Sequence, residues 1–475
     1  MKSTTVFALA AGLLSTSSDA LSLKKRSTGQ SKVVGMDTQR KKITNPLQRD
    51  RLRRRGSATA ELDNEETLYF VNATLGTPAQ SIRLHLDTGS SDLWVNTPSS
   101  SLCLQSSKPC SFAGTYTANS SSTYNYVGSY FNISYVDGSG ASGDYVSDTV
   151  TIGDTTVDDL QFGVGYKSTS SQGILGIGYP VNEVQVGRAG LDEYDNLPAK
   201  MVTDGLIQSN AYSLWLNDLD ASTGSILFGG VDTDQFQGEL QTLPIQKESG
   251  VYAEFMITLT ELTLGNTTVS EDQALAVLLD SGSSLTYLPD TWVDQIYTAV
   301  SAQYDSSQGA AYVPCSLAED NTTLDFTFSS PTISVDMNEL VLDLVTTSGT
   351  RPTFSNGVTA CLFGIAPAGS GTNVLGDTFL RSAYVVYDIA NNEISLAQTK
   401  FNATTHNVLE ITTGTSSVPS ATAVSNSVAA TSGIVTSGSS GGFGLDDSSA
   451  APPSVAISTT LVLLSFGLGT MYTLL

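Results

Sequence analysis

Two short strings, Asp87-Thr88-Gly89-Ser90 and Asp280-Ser281-Gly282-Ser283, stand 193 residues apart in this 475-residue chain. Each closes an apolar run, Ile82-Arg83-Leu84-His85-Leu86 before the first and Leu275-Ala276-Val277-Leu278-Leu279 before the second. An acid at the end of a buried strand is costly unless it is hydrogen-bonded or used in chemistry. One such string is ordinary turn chemistry. Two in matching contexts imply two copies of one structural unit whose acids meet. Two carboxylates held close share one proton, because both cannot ionise easily. A second echo supports the duplication: Gly173-Ile174-Leu175-Gly176-Ile177-Gly178 resembles Asn373-Val374-Leu375-Gly376-Asp377.

Between Thr67 and Ala397 short Val/Ile/Leu/Tyr/Phe runs alternate with Gly, Asn, Asp and Ser turns, the pattern of a mainly β protein. Helix-like spacing is confined to Asn196–Ile207 and to Asp290–Tyr304, where Trp292, Val293, Ile296 and Val300 recur. The length exceeds one ordinary core, so two β lobes are expected, residues 56–235 and 236–408, with a cleft between them.

The two ends differ from the body. Residues 1–20 carry Lys2, an apolar stretch from Val6 to Leu14 and a small-residue site ending at Ala20, the form of a secretory signal. Residues 21–55 sum to +10 and include Lys25-Arg26 and Arg53-Arg54-Arg55, so a basic pro-segment over an acidic cleft is expected. Residues 56–440 hold 41 acids against nine bases, a net of −32. Such a body repels nucleic acid and anionic membrane and suits an acidic medium. Residues 409–440 read as a Ser/Thr-rich stalk. After it, Ser440-Gly441-Gly442, a polar spacer and the apolar Val455–Leu475 with no basic residue behind it fit a GPI signal over residues 441–475, with Ser440 as the attachment residue.

Four cysteines in a secreted chain suggest two disulfides with three possible connectivities. Local pairing, Cys103 with Cys110 and Cys315 with Cys361, keeps one bridge in each lobe and is the preferred arrangement. With no CxxC and only His85 and His406, no metal site is expected, and no cofactor. Asn72, Asn119, Asn132, Asn266, Asn321 and Asn402 open glycosylation sequons. His85 shares a strand face with Asp87 and is expected to be a packed core histidine.

The chain resembles the pepsin-like aspartic endopeptidases, and most of all their fungal cell-surface yapsin branch, over about Thr67 to Lys400. The resemblance rests on Asp87 through Val95, on Ile133-Ser134-Tyr135-Val136-Asp137-Gly138-Ser139-Gly140, on Gly173–Gly178, on Asp280–Ser283 and on Val374 through Arg381. It implies a bilobal fold and an Asp87/Asp280 dyad that activates water to hydrolyse polypeptides in acid, preferring basic residues in the yapsin branch. Thr88 and Ser281 would lock the two loops across the lobes, Gly89 and Gly282 would let amides approach the carboxylates, and Ser90 and Ser283 would donate to them. Ser281 stands where Thr is common, a change that keeps the hydroxyl. Tyr135 corresponds to the flap tyrosine and Trp94 to its brace, while Asp137 departs from the small or polar residue usual there and could meet a basic substrate side chain. The expected product is a monomer reaching the cell surface on a GPI anchor. The competing reading is a catalytically silent surface-binding or wall-structural module on the same scaffold, disfavoured because every dyad, hydroxyl and flap position is filled.

Overall fold

The computed structural model describes residues 32–41, 68–135, 139–221, 223–344 and 350–434. Strands dominate because the apolar runs are short and turn-bounded. The run before Asp280 is buried throughout, and the run before Asp87 is buried except at Arg83. Strand β1 is Val34–Lys41, β2 is Leu68–Leu75, β3 is Gln80–Asp87 and β4 is Leu93–Asn96. Then follow β5 (Asn125–Ser134), β6 (Gly140–Ile152), β7 (Thr155–Ser168), β8 (Gly173–Gly176), β9 (Ala211–Trp215) and β10 (Thr223–Phe228).

The duplication is visible in the register. In the first half β3 runs parallel to β8, with Asp87 opposite Gly176, and β8 pairs antiparallel with β4. In the second half Leu275–Leu279 runs parallel to Val374–Leu375, which pairs antiparallel with Thr286–Leu288. Each acid therefore starts a loop that returns across a glycine-ended strand. A Cβ at Gly176 would lie 2.7 Å from the amide nitrogens of Ser91 and Asp92, and one at Gly376 would lie 2.3 Å from the Leu285 carbonyl. Only glycine fits beneath either loop. The mainly β, bilobal, pepsin-like architecture expected from the pattern is the one found. The two helices form as Leu197–Thr203 and Asp290–Val300.

One sheet joins the halves. Its order runs from Phe236–Pro244 through Glu393–Thr399, Ala383–Asp388, β9, β10, β1 and β2 to β3. The aromatic rings of Tyr212, Phe255 and Tyr387 pack where the halves meet, with Tyr212 stacked on Tyr387 at 5.0 Å.

Two stretches read as accessory segments are integrated into this body. β1 lies within residues 21–55, yet it pairs with β10 from Val34↔Phe228 to Gln39↔Thr223 and with β2 from Gln39↔Phe70 to Lys41↔Leu68. Its alternating apolar residues, Val34 and Met36, are buried. Residues 409–434, within the expected stalk, run along the molecule. Val408–Glu410 pairs with Gly230–Asp232, Ala421–Ala423 adds to Phe236–Pro244, and Ser432 bridges Leu275. Ile411 and Val418 are buried with Trp215, Val231, Phe236 and Tyr384, so two apolar anchors suffice to seat a polar segment. His406 Nδ1 lies 2.7 Å from the buried Asp232 carboxylate at the start of this path.

The disulfides are Cys103–Cys110 and Cys315–Cys361. Cys315 and Cys361 also lie near Asp343 with spacing that could suit a metal, but their sulfurs are spent in the bridge. The signal, Lys25-Arg26, Arg53–Arg55, Asp137, Ser440 and the apolar tail lie outside the described residues. Among the described residues no helix is long and apolar enough to cross a membrane.

Candidate active site

Asp87 ends β3, Asp280 directly follows Leu275–Leu279, and both are buried. Their surroundings match atom for atom. The Gly89 amide donates to Asp87 Oδ1 at 2.9 Å and the Ser90 hydroxyl to Oδ2 at 2.6 Å. The Gly282 amide donates to Asp280 Oδ1 at 2.7 Å and the Ser283 hydroxyl to Oδ2 at 2.6 Å. Donors to both oxygens of each acid fix its plane.

The two loops are tied to each other. Thr88 Oγ1 donates to the Leu279 carbonyl at 2.9 Å and accepts from the Ser281 amide at 2.9 Å. Ser281 Oγ donates to the Leu86 carbonyl at 3.0 Å and accepts from the Thr88 amide at 3.2 Å. All four groups are buried, so each bond holds at full strength. The cross-lock brings the carboxylates together. A Cβ at Gly89 would lie 2.6 Å from Asp280 Oδ1, so only a glycine loop can come this close to the opposing acid.

This geometry decides the assignment, and comparison with known proteins agrees. The profile of the eukaryotic aspartyl protease family matches residues 68–399. The chain belongs to that family.

Within this protease family the chain is 60% identical to a probable aspartic-type endopeptidase, opsB, of Aspergillus oryzae, over 83% of this chain and 82% of that protein. It is 31% identical to aspartic proteinase 3 of Saccharomyces cerevisiae, over 79% of this chain and 78% of that one. The crystal structure of the aspartic proteinase from Irpex lacteus shares the fold at a TM-score of 0.59 and 23% identity, covering 79% of this chain and all of that one. The enzyme is an aspartic-type endopeptidase, and its substrates are polypeptides.

The other expected site residues are placed as follows. The β5–β6 hairpin carries Tyr135 at its end, where the Tyr135 amide donates to the Ser139 carbonyl at 2.8 Å. The buried Trp94 Nε1 donates to the Tyr135 hydroxyl at 2.7 Å, bracing the hairpin against the body. His85 is buried beside Phe70 across the β2–β3 ladder. Asn72, Asn119, Asn132, Asn266, Asn321 and Asn402 are all exposed.

Several neighbours were not legible in the sequence. Tyr387 lies beneath the dyad beside Thr88, its hydroxyl held above the usual tyrosine range by burial. Behind the Trp94–Tyr135 wall, buried Asp92 accepts from Tyr145 at 2.5 Å, from Tyr194 at 3.0 Å and from the Val184 amide at 2.9 Å. Glu183 sits beside it with Oε1 buried and unpartnered. Burial first, then the charges of Asp92, Glu193 and Asp195, push its carboxyl up to about 10. Nothing in the local pattern at Glu183 marks it, since a glutamate before a short helix reads as a solvated cap.

Proposed function

We propose that Asp87 and Asp280 together carry the hydrolysis, in acid, on the outer side of the plasma membrane or in the wall. The observation that carries the reading is the pair of identically dressed carboxylates brought to a glycine-wide gap by the Thr88–Ser281 lock. Two such acids share one proton. The ionised member takes a proton from water, the protonated member polarises the scissile carbonyl, and the departing amine leaves with a proton from the pair. Ser90 and Ser283 hold the outer oxygens. Tyr135, braced by Trp94, closes the peptide under the flap and excludes water.

The acidic body, the secretory-type N-terminus and the stalk-and-tail composition support a secreted, glycosylated, GPI-anchored monomer of the yapsin branch, matured by cutting at basic residues. The same acidity supports a leaning towards basic residues in the substrate. The test is cleavage of a mixed peptide library across pH by the matured protein, beside Asp87→Asn and a pepstatin-type inhibitor. Acid-optimal cleavage abolished by both is the expected outcome. Cleavage surviving Asp87→Asn would remove the dyad from the mechanism. A folded, matured protein that cuts nothing at any pH would favour the silent module.

A further inference from the structure

From Val408 to Ser432 the chain is held to the body at intervals along its course. Val408–Glu410 pairs antiparallel with Gly230–Asp232, and the Ile411 amide donates to the Gly229 carbonyl at 2.8 Å. Ile411 and Val418 are buried, and Asn391 Nδ2 donates to the Gly414 carbonyl at 3.2 Å. Ala421–Ala423 runs beside Phe236–Pro244, where the Val424 amide donates to the Thr242 carbonyl at 3.0 Å. The Val428 and Ala430 amides then donate to Ser329 Oγ and Gln246 Oε1, each at 3.0 Å.

The far end docks on the strand that leads to the second catalytic acid. The amides of Ala276, Leu278 and Asp280 donate to the carbonyls of Ser432 at 2.8 Å, Asn373 at 2.9 Å and Leu375 at 3.2 Å. Ser432 therefore fills the start of a lane whose remainder is Asn373–Leu375. Gly433, at φ 78°, passes so close that a Cβ would lie 2.7 Å from the Ala276 carbonyl. Asp280 lies five residues along the strand from Leu275, about 17 Å away. The docked end and the dyad thus occupy opposite ends of one strand.

We propose that residues 408–434 are a strap that holds the enzyme close to the surface in which its C-terminus is anchored, with the peptide cleft turned away from that surface. The proposal rests on the anchored reading above. With the strap docked, only the six residues 435–440 separate the body from the attachment residue, and they reach at most about 20 Å. Were 409–440 a free stalk, its 32 residues would reach about 110 Å. Residues 68–434 make a body with a radius of gyration of about 21 Å, or about 50 Å across. A tether shorter than half that width cannot bring the opposite side of the body round to the surface. The enzyme then spares chains lying close to its own surface and cuts those that extend beyond it.

The experiment displays the full chain on a eukaryotic cell, beside a cleavable peptide anchored to the same cell on short or long Pro-rich spacers. Wild type should cut the long-spacer peptide at least tenfold faster than the short-spacer one. Inserting 26 Gly/Ser residues after Ser437, as many as residues 409–434 hold, should raise short-spacer cleavage at least tenfold and leave kcat/KM on free peptide unchanged. Releasing the strap with Ile411→Ser, Val418→Ser and Gly433→Val together should give the same gain; should that variant not fold, the insertion alone decides. Equal wild-type cleavage on both spacers overturns the inference alone, as does an insertion without effect. Wild-type activity found free in the medium, with none on the cells, overturns the anchored reading and this inference with it.

Discussion

At the scale of single residues, chemistry and stability pull against each other around the dyad. Thr88 holds the second loop by two buried bonds, so Thr88→Ala strands the Leu279 carbonyl and the Ser281 amide together. A loss of about 2 kcal/mol or more in unfolding free energy is expected, with a fall in kcat because the carboxylates lose their fixed spacing. Chemical denaturation alongside kinetics measures both. Glu183 acts on pH dependence. Its folded-state carboxyl, raised to about 10 by burial, keeps a proton that the unfolded chain releases near the ordinary 4.5. The folded state therefore binds more protons between those values, and stability falls as pH rises through that window, by at most about 1.4 kcal/mol per pH unit. Melting temperature against pH should decline less steeply above pH 5 in Glu183→Gln. An unaltered slope would show that Glu183 ionises freely in the folded protein.

At the scale of elements, the informative strand is β1. It is sandwiched between β2 and β10, and its removal uncovers a ladder on each neighbour. Its Arg40 also reaches the buried group formed by Arg381, Glu339, Tyr69 and Asp377, where the Arg381 guanidinium is ion-paired with Glu339. A chain starting at Gly56 should therefore refold in lower yield than one starting at Ser27. Adding residues 27–41 as a separate peptide should restore part of that yield, as read by recovered activity or near-UV circular dichroism. Equal refolding of the two chains would make β1 dispensable. The basic charge of residues 21–55 suggested a pro-segment. That Val34, Met36 and Thr38 fill a lane between two strands from elsewhere in the chain is invisible locally.

At the scale of the whole molecule, charge is the overriding influence. With 41 acids against nine bases over residues 56–440, self-repulsion weakens the folded state at neutral pH and fades as carboxylates protonate. Added salt should raise the melting temperature at pH 7 and have little effect near pH 4, because screening matters only where repulsion is strong. Differential scanning fluorimetry over a salt series at both values tests this, and a salt effect of equal size at both would contradict it.

The duplicated Asp-x-Gly-Ser strings, the strand alternation and the cysteine spacing pointed to a duplicated, mainly β chain with two acids that meet and one bridge in each half, while the lock hydroxyls and the flap tyrosine followed from the family resemblance. These signals are local: each lies in a few consecutive residues whose chemistry restricts what they can do. Tertiary structure alone decided that β1 and residues 409–434 belong to the body, because their partners lie far off along the chain. It alone buried Glu183 beside Asp92 and Tyr194, for the surroundings of a carboxyl are made by segments distant along the chain.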